Sequence, residues 1–136
     1  MLSPSLTTLR LFLHILAASV WVGGQIALAG VVPSVRKLAP EATKAVARAF
    51  ARVAWPAFAV VVLTGIWNLT EVHVADTGTT YQVTLFVKLV LVFSSGAAAA
   101  IHSVGRTKLA LALGGAIGLL AGIGAMFCGY LLTTGH

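Results

Sequence analysis

The sequence predicts an all-α membrane protein, a bundle of four transmembrane helices, and three observations carry that expectation. Hydrophobic residues fill 59% of the 136 positions and charged residues only 9%, whereas soluble domains carry roughly a quarter charged residues. Mean hydropathy is +1.00, so lipid rather than water is the solvent for most of the chain. A spanning helix needs about 20 predominantly apolar residues, and four such runs with short connections nearly exhaust the length. The expected organisation is one transmembrane domain over 1–136 with no separate soluble domain.

The first span is residues 11–32, interrupted only by His14, Ser19 and Gln25, and it stops before Pro33-Ser34-Val35-Arg36-Lys37. A signal peptide is the rival for this stretch, because Ala27-Leu28-Ala29 has the small residues of a cleavage site, but the apolar run is too long for a signal core. A helix restarts near Pro40-Glu41, where proline and an acidic residue suit a first turn. The second span follows over 53–69, with Pro56 in its first turns, where a missing backbone donor matters least. A polar connection from Glu71 to Thr80 leads to the third span, 81–104, which holds Lys88 and ends near His102. Gly105-Arg106-Thr107-Lys108 then turns the chain into the fourth span, 109–132. Its Gly114-Gly115-Ala116-Ile117-Gly118 segment sets small residues one turn apart, so this helix should be the most tightly packed.

Orientation follows from the basic residues near the span ends. Arg36, Lys37, Lys44, Arg48, Arg52, Arg106 and Lys108 lie on one side, and Arg10 alone lies on the other. Both termini and the loop holding Glu71, His73 and Asp76 therefore face outward, which for a multi-pass protein of a bacterial inner (plasma) membrane is the periplasmic or external side. The net charge of +6 reflects this asymmetry and contact with anionic lipid headgroups. The basic residues hug the membrane boundaries and no nucleic-acid motif accompanies them, so nucleic acid is the weaker reading and is not expected as a partner. A single cysteine, Cys128, allows no internal disulfide.

At about 1.5 Å per helical residue, His14, Lys88 and Trp67-Asn68 fall at one level near the outer surface, and the returning fourth span brings Met126, Cys128 and Tyr130 to the same level. Lys88 is the most informative of these, because an ionisable side chain inside a span faces a bundle interior, a partner or a wet cavity, unless it snorkels to the headgroups. His14 offers a neutral nitrogen ligand for a metal or haem, or is satisfied by a neighbouring helix hydroxyl or carbonyl. Met126 and Cys128 are soft ligands suited to cuprous ion, although positions two apart point to nearly opposite sides of a helix, so at most one of them faces His14. His73 can ligate or relay protons from the outer loop. His102 lies some ~20 Å deeper than Lys88 and belongs to a different level.

Three fragments carry a family resemblance. Leu13-His14-Ile15-Leu16-Ala17-Ala18-Ser19-Val20-Trp21-Val22-Gly23-Gly24 resembles the first-helix pattern of the CopD-type copper-resistance membrane family, a His followed by Trp-x-Gly-Gly. Leu63-Thr64-Gly65-Ile66-Trp67-Asn68 is similar to that family's Thr-Gly helix end, and Thr80-Tyr81-Gln82-Val83-Thr84-Leu85-Phe86-Val87-Lys88-Leu89 resembles the segment leading into its intramembrane lysine, with Gln82 where a glycine is expected. The resemblance implies a four-helix core associated with copper uptake or tolerance and, more distantly, a likeness to the HemJ-type protoporphyrinogen oxidases, which bind haem b. The family's motif histidine and lysine map to His14 and Lys88, and Trp21 joins them as a cofactor contact.

Three functions follow as expectations. In the first, the protein binds or translocates copper, with His14 as the principal ligand and His73, Met126 and Cys128 as further candidates. Lys88 fits this poorly unless it is deprotonated or paired with Glu71 or Asp76. In the second, His14 is an axial ligand of a b-type haem in a redox enzyme or electron carrier, and Lys88 meets a propionate or an anionic substrate. In the third, the chain is an accessory subunit, or a homo-oligomer, docked through its small-residue helix in a larger membrane complex. The topology is testable directly: a reporter fused after His136 should read as external, and cytoplasmic activity there would overturn the assignment of levels.

Overall fold

The computed structural model describes residues 1–135; His136 lies outside the described residues. The chain is all-α, with four helices long and apolar enough to cross a membrane: α1 (Leu6–Leu38), α2 (Thr43–Glu71), α3 (Thr79–Val104) and α4 (Lys108–Thr134). It divides into two compact units, Met1–His73 and Val74 onward, each an antiparallel pair of consecutive helices. This is the architecture lipid demands, since a helix satisfies its backbone donors and acceptors within itself.

The helices outrun the apolar spans. The 33 residues of α1 reach about 50 Å, against a hydrocarbon layer of about 30 Å. Past the end of the apolar span, α1 continues through Pro33 to Leu38 and ends with Arg36 and Lys37 in its last turn. Proline there removes a single backbone donor, and the turns beyond it lie past the apolar run, where water can replace the missing bond. A 3-10 turn at Pro40–Ala42 leads into α2, which runs unbroken past Pro56. Ser5 caps α1 by accepting from Thr8 N–H at 3.1 Å, and Thr107 caps α4 by accepting from Ala110 N–H at 3.1 Å.

In the first unit, α1 meets α2 along a face that repeats every three to four residues, as helix geometry requires. Arg10, Ala17, Trp21 and Val22 are buried on α1, and Ala54, Ala57, Val61 and Thr64 on α2. Trp21 anchors the middle. Its ring lies 5.3 Å from that of Trp55 and 4.5 Å from that of Phe58, in the tilted geometries that aromatic quadrupoles favour. Farther along, Gly24 leaves the space that Phe50 fills, since a Cβ on Gly24 would collide with that ring.

The second unit relies on small residues instead. Gly114, Gly118, Ala121, Gly122 and Ala125 are buried on α4, which is the most buried helix of the four, at 28% of its apolar window. This agrees with the tight packing expected of it. A Cβ on Gly114 would lie 3.0 Å from the Ala98 carbonyl oxygen and 3.0 Å from His102 Cβ, so the two backbones approach as only glycine permits. Two polar clasps cross this interface. The Ser95 hydroxyl, 1% exposed, donates to the Gly118 carbonyl at 2.7 Å, and His102 Nδ1–H donates to the Leu111 carbonyl at 2.6 Å. Before α3, the Gln82 amide donates to the carbonyls of Val74 and Thr77, each at 3.0 Å, and so braces the short 3-10 turn Val74–Asp76.

Gly114→Val should destabilise the second unit by about 1–3 kcal/mol, because backbone rather than a flexible side chain opposes the new atoms. Ser95→Ala should lose only about 0.6 kcal/mol, the mean for interhelical hydrogen bonds in membranes. Unfolding in mild detergent measures both; a valine variant as stable as the parent would contradict the close approach.

Candidate functional site

The polar groups of the first unit gather at the end where α1 begins and α2 finishes. His14 is half-buried, and its Nδ1 lies 2.8 Å from the hydroxyl of Thr64, a buried residue of α2. That hydroxyl has one proton, and it donates it to the helix itself, at 2.6 Å to the Val60 carbonyl and 3.2 Å to that of Val61. With its proton committed, Thr64 Oγ1 can only accept from the ring. A neutral His14 is therefore protonated at Nδ1 and carries its lone pair at Nε2. Orientation of an imidazole through its second nitrogen is how proteins prepare a histidine for a metal ion. Gly65 follows directly, and a Cβ there would make ordinary contact, 3.5 Å, with His14 Cε1, so α2 runs alongside the ring.

One turn before His14 stands Arg10, which is only 9% exposed. Its Nη1 lies 3.6 Å from Glu71 Oε2, and its guanidinium carbon sits 5.9 Å from the centre of the Trp67 ring. Arg10 Nε and Asn68 Oδ1 are buried and have no hydrogen-bond partner among the described residues. The partner of Glu71 is thus Arg10. In the sequence Arg10 stands merely as the lone basic residue on the outer side. Its spacing from His14 was the available signal, since residues four apart share one helix face, and Thr64 stood in the Thr-Gly fragment without a role of its own.

The other candidates are distributed as follows. Trp21 belongs to the aromatic cluster with Trp55 and Phe58, about 10 Å along α1 from His14. His73 is exposed just beyond the end of α2. In the second unit, Lys88 is half-buried and turned toward α4: a Cβ on Gly129 would lie 3.2 Å from Lys88 Nζ. Glycine at that position makes room for the ammonium, which lies along the partner helix. Cys128, a free and half-buried thiol, precedes Gly129, whereas Met126 is 40% exposed. The two side chains differ in burial, as their spacing on the helix implies. No group of three or more His, Cys, Asp or Glu side chains is poised to hold a metal ion among the described residues.

Four apolar helices with a few polar residues set within them define a multi-pass integral membrane protein. The family profile of copper resistance protein D (CopD) matches residues 44–116, more than half of the chain, and the protein belongs to that family. The match covers α2, α3 and the start of α4, including Thr64 and Lys88, while His14, Met126 and Cys128 lie outside it. No curated protein and no solved structure matches the chain. The likeness to HemJ-type oxidases finds no support in these comparisons.

Thr64→Val keeps the shape of the side chain but removes the acceptor. Nitrogen-15 spectra of histidine-labelled protein should then show His14 losing its uniform Nδ1–H tautomer, whereas Thr64→Ser should retain it. The same tautomer in the valine variant would refute the assignment.

Proposed function

We propose that this protein handles copper as cargo, binding the ion transiently at an outward-facing site within the membrane and passing it on. Membership of the copper-resistance family carries this reading, and the His14–Thr64 hydrogen bond supports His14 as the residue. His14 Nε2, on a ring oriented by the Nδ1–Thr64 hydrogen bond, is the nitrogen that meets the ion. Cuprous ion accepts few ligands and prefers soft or imidazole donors, so one oriented histidine suffices for a passing contact. A route that conducts must bind weakly enough to release, and single donors spread along it serve that need better than a closed cage.

Within the first unit His73 is the secondary donor in this proposal; Cys128 and Met126 belong to the second unit, where Cys128 is the more buried of the two. An ammonium has no lone pair, so Lys88 takes no part in ligation while charged. Its position along Gly129 in the second unit holds that charge in place. The protein resides in a bacterial plasma membrane with both termini outside, which sets the Arg10–His14 end toward the external face.

His14→Ala should reduce copper bound by the purified protein at least tenfold, by elemental analysis after loading with cuprous ion under reducing conditions, whereas His102→Ala should leave it within about a factor of two. Loss of copper in the His102 variant alone would move the site to the opposite end of the helices. A red parent protein with a Soret band that shifts on reduction, and no stoichiometric copper, would overturn the copper reading in favour of haem.

A further inference from the structure

The end of the first unit holds a second set of polar groups that the copper reading leaves unused. Arg10 is the last charged residue before the apolar run that starts at Leu11, and Trp67 lies against it. Arginine and tryptophan side by side mark the headgroup level of a bilayer. A buried guanidinium is normally fully paired, because each unsatisfied donor in an apolar setting is costly. Here Nη1 has one long contact to Glu71 at 3.6 Å, and Nε has no partner among the described residues. Nor does the acceptor Asn68 Oδ1, on the same face of α2 as Glu71.

An unmet cationic donor, an unmet amide acceptor and a carboxylate whose side chain is 54% exposed form a set with both signs. An anion alone would gain from Arg10 but meet repulsion from Glu71, and a cation alone would face the reverse. A ligand carrying a phosphate and an ammonium a few ångströms apart satisfies both. We propose that the Arg10–Trp67–Asn68–Glu71 cluster binds the headgroup of a zwitterionic phospholipid bearing a primary ammonium, of the phosphoethanolamine class. Glu71, the exposed member of the long ion pair, swings aside. The phosphate settles on the Nε edge of Arg10, where guanidinium and oxyanion pair through two parallel hydrogen bonds. The ammonium donates to Asn68 Oδ1 and to the displaced carboxylate. A primary ammonium has three donors to share, and a fully methylated one has none, so the acceptors discriminate between headgroups of equal charge.

Native mass spectrometry of the full chain in mild detergent tests this, with phosphatidylethanolamine, phosphatidylcholine and phosphatidylglycerol of identical acyl chains. One phosphatidylethanolamine should be retained at a concentration at least tenfold below that needed for either other lipid. Arg10→Gln should abolish the preference. Asn68→Leu, which leaves the Arg10–Glu71 pair intact and so guards against a folding defect, should shrink it severalfold. Millimolar inorganic phosphate or soluble phosphoethanolamine should not displace the lipid. Equal retention of the three lipids, a preference that survives in folded Arg10→Gln, or displacement by the soluble compounds would each overturn the proposal.

Discussion

Inside hydrocarbon, the hydrophobic effect that gathers helices in water is absent, since the surrounding lipid is as apolar as any leucine. Helices pair there only through close packing and through the few polar groups that find each other, and both units of this protein are organised by that constraint. It explains why most large apolar side chains, such as Phe93 at 79% exposed and Leu120 at 68%, point outward while alanine, glycine, serine and threonine face the partner helix. The two units meet the constraint differently. The first interlocks aromatic rings around Trp21 and places its polar contacts at one end. The second brings backbones together at Gly114 and fastens them with Ser95 and His102.

Polar clasps of this kind have two uses, and the environment of each residue separates them. His102 donates to a backbone carbonyl that belongs to the same helical turn region as the glycines it packs on, so its hydrogen bond is spent on holding α3 to α4. His14 donates to a hydroxyl that is itself anchored to its helix, and this leaves the opposite nitrogen of the ring as the basic one. The same residue type, each bonded through Nδ1, thus serves packing in one unit and in the other is oriented by an anchored hydroxyl. Gln82 shows the converse. Its amide gathers two carbonyls of the preceding turn.

The four helices and the turn at Gly105–Lys108 were legible because hydropathy and turn residues act locally. Helix ends were less so, as Pro33 illustrates. An apolar window measures the thickness of lipid, whereas a helix continues for as long as its backbone is satisfied, so α1 passes the proline and stops at Leu38. The positions of His14 and Lys88 along the chain could be read as unusual for membrane helices. Their partners could not: Thr64 and Gly129 lie far away in sequence, and only the register of two helices brings them together. Arg10 was hidden for a different reason. A charge at a span boundary looks solvated by default, and its burial against Trp67 depends on which face of α2 turns inward.

The length of α2 has a consequence for the membrane itself. Lys44, Arg48 and Arg52 recur once per turn along its first part, all exposed, with alanine, valine and phenylalanine between them. Each is a rung about 6 Å from the next, and each has a stem long enough to bend its charge toward water. A bilayer that thickens by one rung can cover the apolar residues up to the next cation, and one that thins can uncover them, without a large penalty for mismatch. A helix with a single sharp charged boundary would instead have to tilt or deform the lipid. The graded edge lets the first unit meet hydrocarbon layers of different thickness.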